Sequence, residues 1–294
     1  MTAGRPFTAV VNPTAGRGAG AQVARQLAAA LPAGLIEVEH SRDHAHAREL
    51  ARRACARERT VLAVGGDGLA GCVAGAVVRA GGVLGIVPAG RGNDFARQLG
   101  LPTDPAAAAR VALAGRTRAV DVLDCAGHVV LGSVYAGVDS AANAIVNARP
   151  RVPAPLVYQY GAVRALLTFR PVGFRLSVDG VQWAARGYSV VIANSGFYGA
   201  GMHIVPTAEV DDGRLDVLVI GSSTGRVPSR WRLVAAMREV YTGTHLRRPE
   251  VEVRRGEVVE LAMDRAVPVY ADGEPFVEAP LRVSVRAAAL RVLV

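Results

Sequence analysis

An α/β half followed by a β-rich half is what this sequence predicts: an N-terminal doubly wound parallel-sheet domain, then a β-sandwich-like domain with added helices. Three observations carry that expectation. Up to residue 120, short β-rich runs alternate with alanine-rich helical stretches. Beyond it the chain breaks into short strand-like runs, with Asp179–Gly180 and Asp272–Gly273 as hairpin signals. At 294 residues, 51% hydrophobic and 20% charged, the chain is long enough for two domains and apolar enough to fill both cores.

In order, Phe7–Val11 reads as a buried strand, Gly20–Leu31 as a helix, Leu35–Glu39 as a strand and Ala45–Arg57 as a helix. Thr60–Val64, Leu69–Arg79, Val83–Val87 and Asp94–Leu99 continue the alternation, which implies a parallel sheet covered on both faces. Ligands of such sheets gather at the carboxyl ends of the strands. After Val120, strands are expected at Val129–Tyr135, Phe174–Val178, Tyr188–Ala193, Leu215–Ile220, Val251–Val253, Val258–Leu261, Val267–Tyr270 and Leu281–Val285. Helices interrupt at Leu156–Phe169 and Ser229–Tyr241, and Pro150–Pro155 is a short proline-rich piece. The expected division is residues 1–120 and 121–286, with a last strand at about 287–294 returning to the first domain.

The 34 basic residues are all arginine, against 25 acidic ones, for a net charge of +9. With no lysine, a Walker A loop, a Schiff-base lysine and the kinase strand lysine are excluded, so phosphate chemistry must use arginine, backbone N–H groups or a metal. Such a charge suits nucleic acid, anionic lipid or polyanionic substrates. Aromatics at 5% and the lack of a reading motif argue against nucleic acid. Cys55, Cys72 and Cys125 form no CxxC pair, which points to a reducing compartment. His44 and His46 lack the companion ligands of a zinc site. There is no signal pattern, and Ala70–Val87, the most apolar stretch, is interrupted by Arg79 and Gly81–Gly82. A cytoplasmic protein is expected.

Three glycine-rich loops follow strands. Asn12-Pro13-Thr14-Ala15-Gly16-Arg17-Gly18 lets backbone N–H groups approach an anion at a helix start. It equally suits an ordinary βα turn, and Gly16, Gly18 and Ala21 with Glu39 imitate a dinucleotide fingerprint. Gly65-Gly66-Asp67-Gly68 leaves the backbone open for phosphates and sets a carboxylate where a phosphate-bound Mg²⁺ is held through water. In Pro88-Ala89-Gly90-Arg91-Gly92-Asn93-Asp94-Phe95-Ala96-Arg97, Asn93 suits an N-cap and Asp94 the first helical turn, with Arg91 beside them.

In this order the loops resemble the diacylglycerol kinase catalytic superfamily, whose members include bacterial soluble lipid kinases and the sphingosine kinases. Val120-Asp121-Val122, Val134-Tyr135-Ala136-Gly137-Val138-Asp139, Asn194 to Gly201, Pro206 to Asp216 and Asp272-Gly273-Glu274 extend the resemblance over nearly the whole chain. The resemblance implies an ATP-dependent kinase acting on a lipid hydroxyl, with nucleotide in the cleft between domains. By match, Asn12, Thr14, Gly16 and Ser41 would line the nucleotide and Gly65, Gly66, Asp67, Gly68 and Gly71 would lie under its phosphates, with Arg91 and Asn93 also expected to bind the nucleotide. A structural Mg²⁺ would be held by Asp212 with the carbonyls of Glu209 and Arg214, joined through water to Asp67 and Asp121. Glu274, or its neighbour Asp272, would take the proton from the lipid hydroxyl.

Two positions depart from the family pattern: Leu69 and Arg91 stand where threonines are usual. Leu69 also occurs in the sphingosine-kinase version, whereas the Arg91 guanidinium can bind phosphates bidentately or face solvent. Diacylglycerol is the expected substrate, since Asn93-Asp94-Phe95-Ala96-Arg97 looks like that branch. A sphingosine-like kinase, a non-catalytic nucleotide or lipid sensor, an NAD or sugar kinase and a dehydrogenase remain as other readings. The expected partner is a membrane lipid reached by peripheral docking, through arginines such as Arg247, Arg248, Arg254 and Arg255 near Trp231 and Tyr241. Neither nucleic acid nor a protein partner is expected, and a homodimer stays open.

Overall fold

The computed structural model describes residues 5–148, 152, 157–224, 227–276 and 279–294. The proline-rich piece 150–155 lies outside the described residues apart from Val152. The first half runs β1 (Phe7–Val11), α1 (Ala15–Ala29), β2 (Ile36–His40), α2 (His44–Ala56), β3 (Thr60–Gly65), α3 (Asp67–Ala80), β4 (Val83–Pro88), α4 (Asp94–Gln98) and α5 (Pro105–Ala114). There follow β5 (Thr117–Cys125), β6 (His128–Val130), β7 (Ser133–Gly137), α6 (Val138–Asn147), α7 (Val157–Thr168), β8 (Val172–Val178), β9 (Val181–Ala193), β10 (Phe197–Tyr198) and β11 (Met202–His203). The chain ends with β12 (Leu215–Ser222), α8 (Arg230–Ala236), β13 (Val251–Gly256), β14 (Val258–Met263), β15 (Val269–Ala271), β16 (Glu274–Pro275) and β17 (Leu281–Leu293).

The parallel sheet has the order β2–β1–β3–β4. From β1 the chain steps to β2 on one side and β3 on the other, so the crevice at the carboxyl ends of β1 and β3 is the topological switch point where such sheets bind ligands. Both faces are covered. Ala9, Val11, Leu62 and Val64 pack toward α1 and α5, while Val10, Val61 and Ala63 pack toward α2 and α3. That split is the period of two expected of a strand buried on both sides.

The second half is antiparallel, with β15–β7–β9–β8–β14 as its spine and β12–β13 branching from β9. Its core is built around Phe174, Leu176, Trp183, Ile192 and Leu261. β17 ties the halves together. It pairs antiparallel with β14 and along β5, then runs parallel beside β4 at Arg291 and Val292. Its register slips between Arg286 and Leu290, and there the buried Asp121 accepts the Ala288 N–H at 2.7 Å and the Gly213 N–H at 2.7 Å. The carboxylate thus replaces ladder bonds that the bulge gives up.

Several elements differ from the sequence expectation. The run Val129–Tyr135 is two strands, broken at Leu131 and Gly132, because their N–H groups turn to the Asp272 carboxylate at 2.9 and 2.7 Å. Helix Ser229–Tyr241 shortens to α8 and is followed by 3₁₀ turns at Glu239–Tyr241 and Thr244–Arg247. Helices α5 and α6 have no counterpart among the expected elements. Residues Gly16, Arg17 and Gly18 all adopt positive φ, so regular helix begins only past Gly18, close to the expected Gly20. The cysteines form no disulfide. Among the described residues, no helix is long and apolar enough to cross a membrane.

Candidate active site

Glycine brings the three loops together at the switch point. At Gly16, with φ 56°, a Cβ would stand 2.5 Å from the Ala89 carbonyl oxygen. At Gly90 it would stand 2.5 Å from the Gly66 Cα, and at Gly20 only 2.1 Å from the Asn12 carbonyl oxygen. Loop 12–18 therefore lies against loop 88–94, and that loop against 65–68. Asn93, at φ 53°, occupies the cap position of α4 without capping it: its side chain clasps Gly90, accepting N–H at 2.9 Å and donating to the carbonyl at 3.0 Å. Asn12 accepts both the N–H and the hydroxyl of Thr14, at 3.0 and 2.8 Å. Ser41 donates its hydroxyl to the Val11 carbonyl at 2.9 Å, fixing the end of β2 against β1 from a buried position. Leu69 turns into the core beneath Gly65, whose missing Cβ would lie 2.7 Å from it.

Facing the second and third loops across a cleft of about 300 Å³ is the acidic turn between β15 and β16; no residue of loop 12–18 lines that cleft. Asp67, Arg91, Asp94, Asp272 and Glu274 all line this cleft. Asp272 comes so close to α3 that a Cβ on Gly71 would meet its Oδ2 at 2.7 Å, and a Cβ on Gly68 would lie 3.1 Å from Glu274 Oε1. Asp272 accepts N–H groups from Leu131, Gly132 and, at 3.3 Å, Ser133. Even so its carboxyl is pushed up to about 6, first by its low-dielectric surroundings and then by the charge of Asp67, which outweigh the three N–H groups. Asp67 is raised too, by burial and by Asp94, although the Phe95 N–H donates to it at 3.1 Å. Glu274 is exposed and, among the described residues, makes no hydrogen bond or ion pair, so it is the carboxylate left to meet a ligand.

Asp94 was legible only as a helix-start residue, yet it joins the halves. It accepts the Ala200 and Gly201 N–H groups at 2.9 and 2.7 Å and pairs with Arg97 at 2.6 Å. Beside the cleft, across Tyr198, lies a second, apolar cavity of about 260 Å³. It is walled by α6, α7, α8 and the turn after it, including Ala162, Leu166, Leu233, Ala236 and Val240. Asn143, Val146, Tyr198 and Gly199 line both spaces. The Asp139 carboxyl stands in the cavity wall, raised by burial and held by hydrogen bonds from Ser189 and Tyr198. Neither the cavity nor Asp139 was read as a site in the sequence, because its walls come from segments spread between Val138 and Val251.

The expected metal residues are divided. Asp121 and Asp212 are absent from the cleft lining. Asp212 accepts the Arg214 N–H at 2.9 Å and pairs with Arg255, which also reaches Asp216 at 3.2 Å. Among the described residues, no three His, Cys, Asp or Glu side chains are grouped to hold a metal by themselves. In the cleft, however, Asp67 stands near enough to Asp272 for its charge to raise that carboxyl, a pairing suited to a divalent cation arriving with phosphates.

A parallel α/β domain whose glycine loops face an acidic turn on a β-sandwich is a kinase architecture without a lysine-based phosphate loop. Residues 6–125 match the diacylglycerol kinase catalytic domain, and residues 132–294 match the YegS C-terminal NAD kinase beta sandwich-like domain. The chain is 35% identical over 297 residues to "Diacylglycerol kinase" of Mycobacterium tuberculosis, covering 97% of this chain and 94% of that one. It is 32% identical over 238 residues to "Probable lipid kinase YegS-like" of Pseudomonas aeruginosa, covering 79% and 76%. A solved Bacillus anthracis structure described as a diacylglycerol kinase shares the fold, with a TM-score of 0.74 at 18% identity, covering 100% and 98%. The chain belongs to the diacylglycerol kinase catalytic superfamily and is a lipid kinase.

Proposed function

We propose that this lipid kinase transfers the γ-phosphate of ATP to the free hydroxyl of diacylglycerol, giving phosphatidic acid and ADP. The observation that carries the reading is the junction at Asn143, Val146, Tyr198 and Gly199, where an apolar cavity meets the acidic cleft. Acyl chains in the cavity would leave a hydroxyl in the cleft, within the space that Glu274 shares with Asp67 and Arg91. The name carried by the Mycobacterium tuberculosis relative supports the same substrate.

Phosphoryl transfer requires alignment, charge neutralisation and a proton acceptor. Backbone N–H groups of loops 12–18, 65–68 and 88–94 hold the triphosphate, with Arg91 at the cleft wall for its outer oxygens. Magnesium, bound with the phosphates and reached by Asp67 through water, would supply charge neutralisation. Glu274 accepts the proton as the lipid oxygen bonds to the γ-phosphorus and the bond to the bridging oxygen of ADP breaks. Asp272 does not act directly; its hydrogen bonds to Leu131–Ser133 brace the strand turn from which the cleft wall is built. Asp212, with the carbonyls of Glu209 and Arg214 and a water path through Asp121 to Asp67, remains the reading for a structural magnesium. In this geometry Arg255 already neutralises Asp212, so a cation there would exchange with the guanidinium.

The test is transfer of label from γ-³²P ATP to a panel of diacylglycerol, sphingosine, ceramide, monoacylglycerol and phosphatidylglycerol in mixed micelles with Mg²⁺. Labelled phosphatidic acid as the main product is expected. Preferential labelling of sphingosine would move the reading to the other branch, and no labelled lipid beside an active control enzyme would overturn it.

A further inference from the structure

Nine large hydrophobic side chains are markedly exposed among the described residues, and six of them lie on three neighbouring elements. They are Val163 and Leu167 on α7, Trp231 and Val234 on α8, and Met237 and Tyr241 just after it, with Trp231 78% and Tyr241 60% exposed. These elements pack on one another and are the walls of the apolar cavity. Their inward residues, Ala162, Leu166, Leu233 and Ala236, line it; Val163, Leu167, Trp231 and Val234 do not. Met237 and Tyr241 do both, lining the cavity while exposed, and so mark its mouth. The cavity opens among apolar side chains that no other part of the described protein covers.

The exposed charge left unpaired on and beside these elements is positive among the described residues. Arg232 and Arg248 are already paired with Glu250 and Glu239. Arg164, Arg170, Arg230, Arg238 and Arg247 are exposed and, among the described residues, have no acidic partner. The structure therefore redraws the sequence expectation: Arg248 and Arg255 are ion-paired, and Arg254 lies over the Trp183 ring at 4.5 Å. Of the arginines first considered for docking, only Arg247 belongs to the free set.

We infer that the outer face of α7 and α8, with Trp231 at its centre and Arg164, Arg170, Arg230, Arg238 and Arg247 around it, seats the enzyme on an anionic bilayer with the cavity mouth against the lipid. The inference rests on the lipid-kinase reading. A solitary indole and a long arginine suit the headgroup boundary, where an apolar body and a polar or cationic tip are both satisfied. Acyl chains then pass from bilayer to cavity without crossing water. Pairing with a second copy of this chain is disfavoured, because an isologous contact would set these arginines against their own copies.

Trp183 is buried, so emission changes on lipid addition report Trp231. With vesicles of phosphatidylglycerol and phosphatidylcholine, Trp231 emission should shift to the blue and be quenched by brominated acyl chains. Vesicles of phosphatidylcholine alone should bind more weakly, and each of Arg238→Gln and Arg247→Gln should cut binding to the anionic vesicles about fivefold. The double variant Trp231→Asp/Val234→Asp changes only exposed residues outside the cavity lining. It should lose at least tenfold in vesicle binding and in turnover of long-chain diacylglycerol presented in vesicles, while keeping its melting temperature and its turnover of water-dispersed dioctanoylglycerol. Unchanged vesicle binding in that variant overturns the inference. So does Trp231 emission already blue and concentration-dependent without lipid, which would mean a second copy covers the face. If dioctanoylglycerol is never phosphorylated but vesicle binding follows these residues, the docking face stands and the diacylglycerol reading fails.

Discussion

The two halves of the cleft contribute opposite things. The parallel domain works through what it lacks: Gly16, Gly66, Gly68, Gly71 and Gly90 place bare backbone where a methyl group would strike another loop or a carboxylate. The second domain works through side chains it presents, Asp272 and Glu274 on a turn and an apolar cavity behind Tyr198. A backbone surface can hold any polyphosphate, because phosphate oxygens only need N–H groups and charge. A side-chain surface decides which hydroxyl is brought to it and what takes its proton. On the proposed function, the donor side of this enzyme is generic, whereas the acceptor side carries specificity and acid–base chemistry.

The sharpest way to break that comparison is Glu274→Gln. It keeps the shape of an exposed residue and removes the one cleft carboxylate that is free among the described residues; kcat should fall on the order of 10³-fold, with nucleotide affinity by calorimetry unchanged. Loss of nucleotide binding instead would mean the acidic turn serves the donor. A smaller effect is expected from Gly71→Ala, which forces a Cβ to 2.7 Å from Asp272 Oδ2. Moving Asp272 off its N–H donors should lower kcat about 10²-fold and stability by about 1–3 kcal/mol, read by single-turnover kinetics and urea unfolding. Wild-type rates in that variant would show that Asp272 need not be so placed.

The smallest effect concerns pH. The Asp272 carboxyl is raised to about 6 in the native cleft, so the folded state holds a proton that the unfolded chain releases lower. Stability from this group is fully present below its unfolded value, near 4, and is lost as pH rises through about 6. Asp272→Asn should therefore gain on wild type by up to about 3 kcal/mol between pH 4 and 7, on top of a pH-independent offset from altered hydrogen bonds. Parallel unfolding curves across that range would show that Asp272 carries no such burden.

Legibility followed the same division. The loops at 12–18, 65–68 and 88–94 could be read because glycine at a strand end has few other uses, and their order along the chain adds to their meaning. Asp272 and Glu274 could be read only because their turn resembled a family signature. Asp94, Tyr198 and Asp139 could not, since Asp94 looks like any first-turn acid and the other two lie 59 residues apart in sequence. The single strand expected at Val129–Tyr135 failed for a related reason. Its β-branched pattern is genuine, but Asp272, some 140 residues away, captures the N–H groups that would have kept it continuous. Nor were the contacts of the clustered arginines legible: Arg254 lies over the Trp183 ring, and Arg255 pairs with Asp212 and Asp216.

By itself the sequence determined the alternation that builds the parallel sheet, the positions of its glycine-rich turns and the exclusion of lysine chemistry. These are local properties, set by side-chain period and by where a backbone must go without a Cβ. Only the tertiary structure decided, among the described residues, which carboxylate is free, which arginines remain unpaired and where the apolar cavity lies. Each of those depends on partners distant along the chain, and pairing, burial and field are properties of neighbours in space.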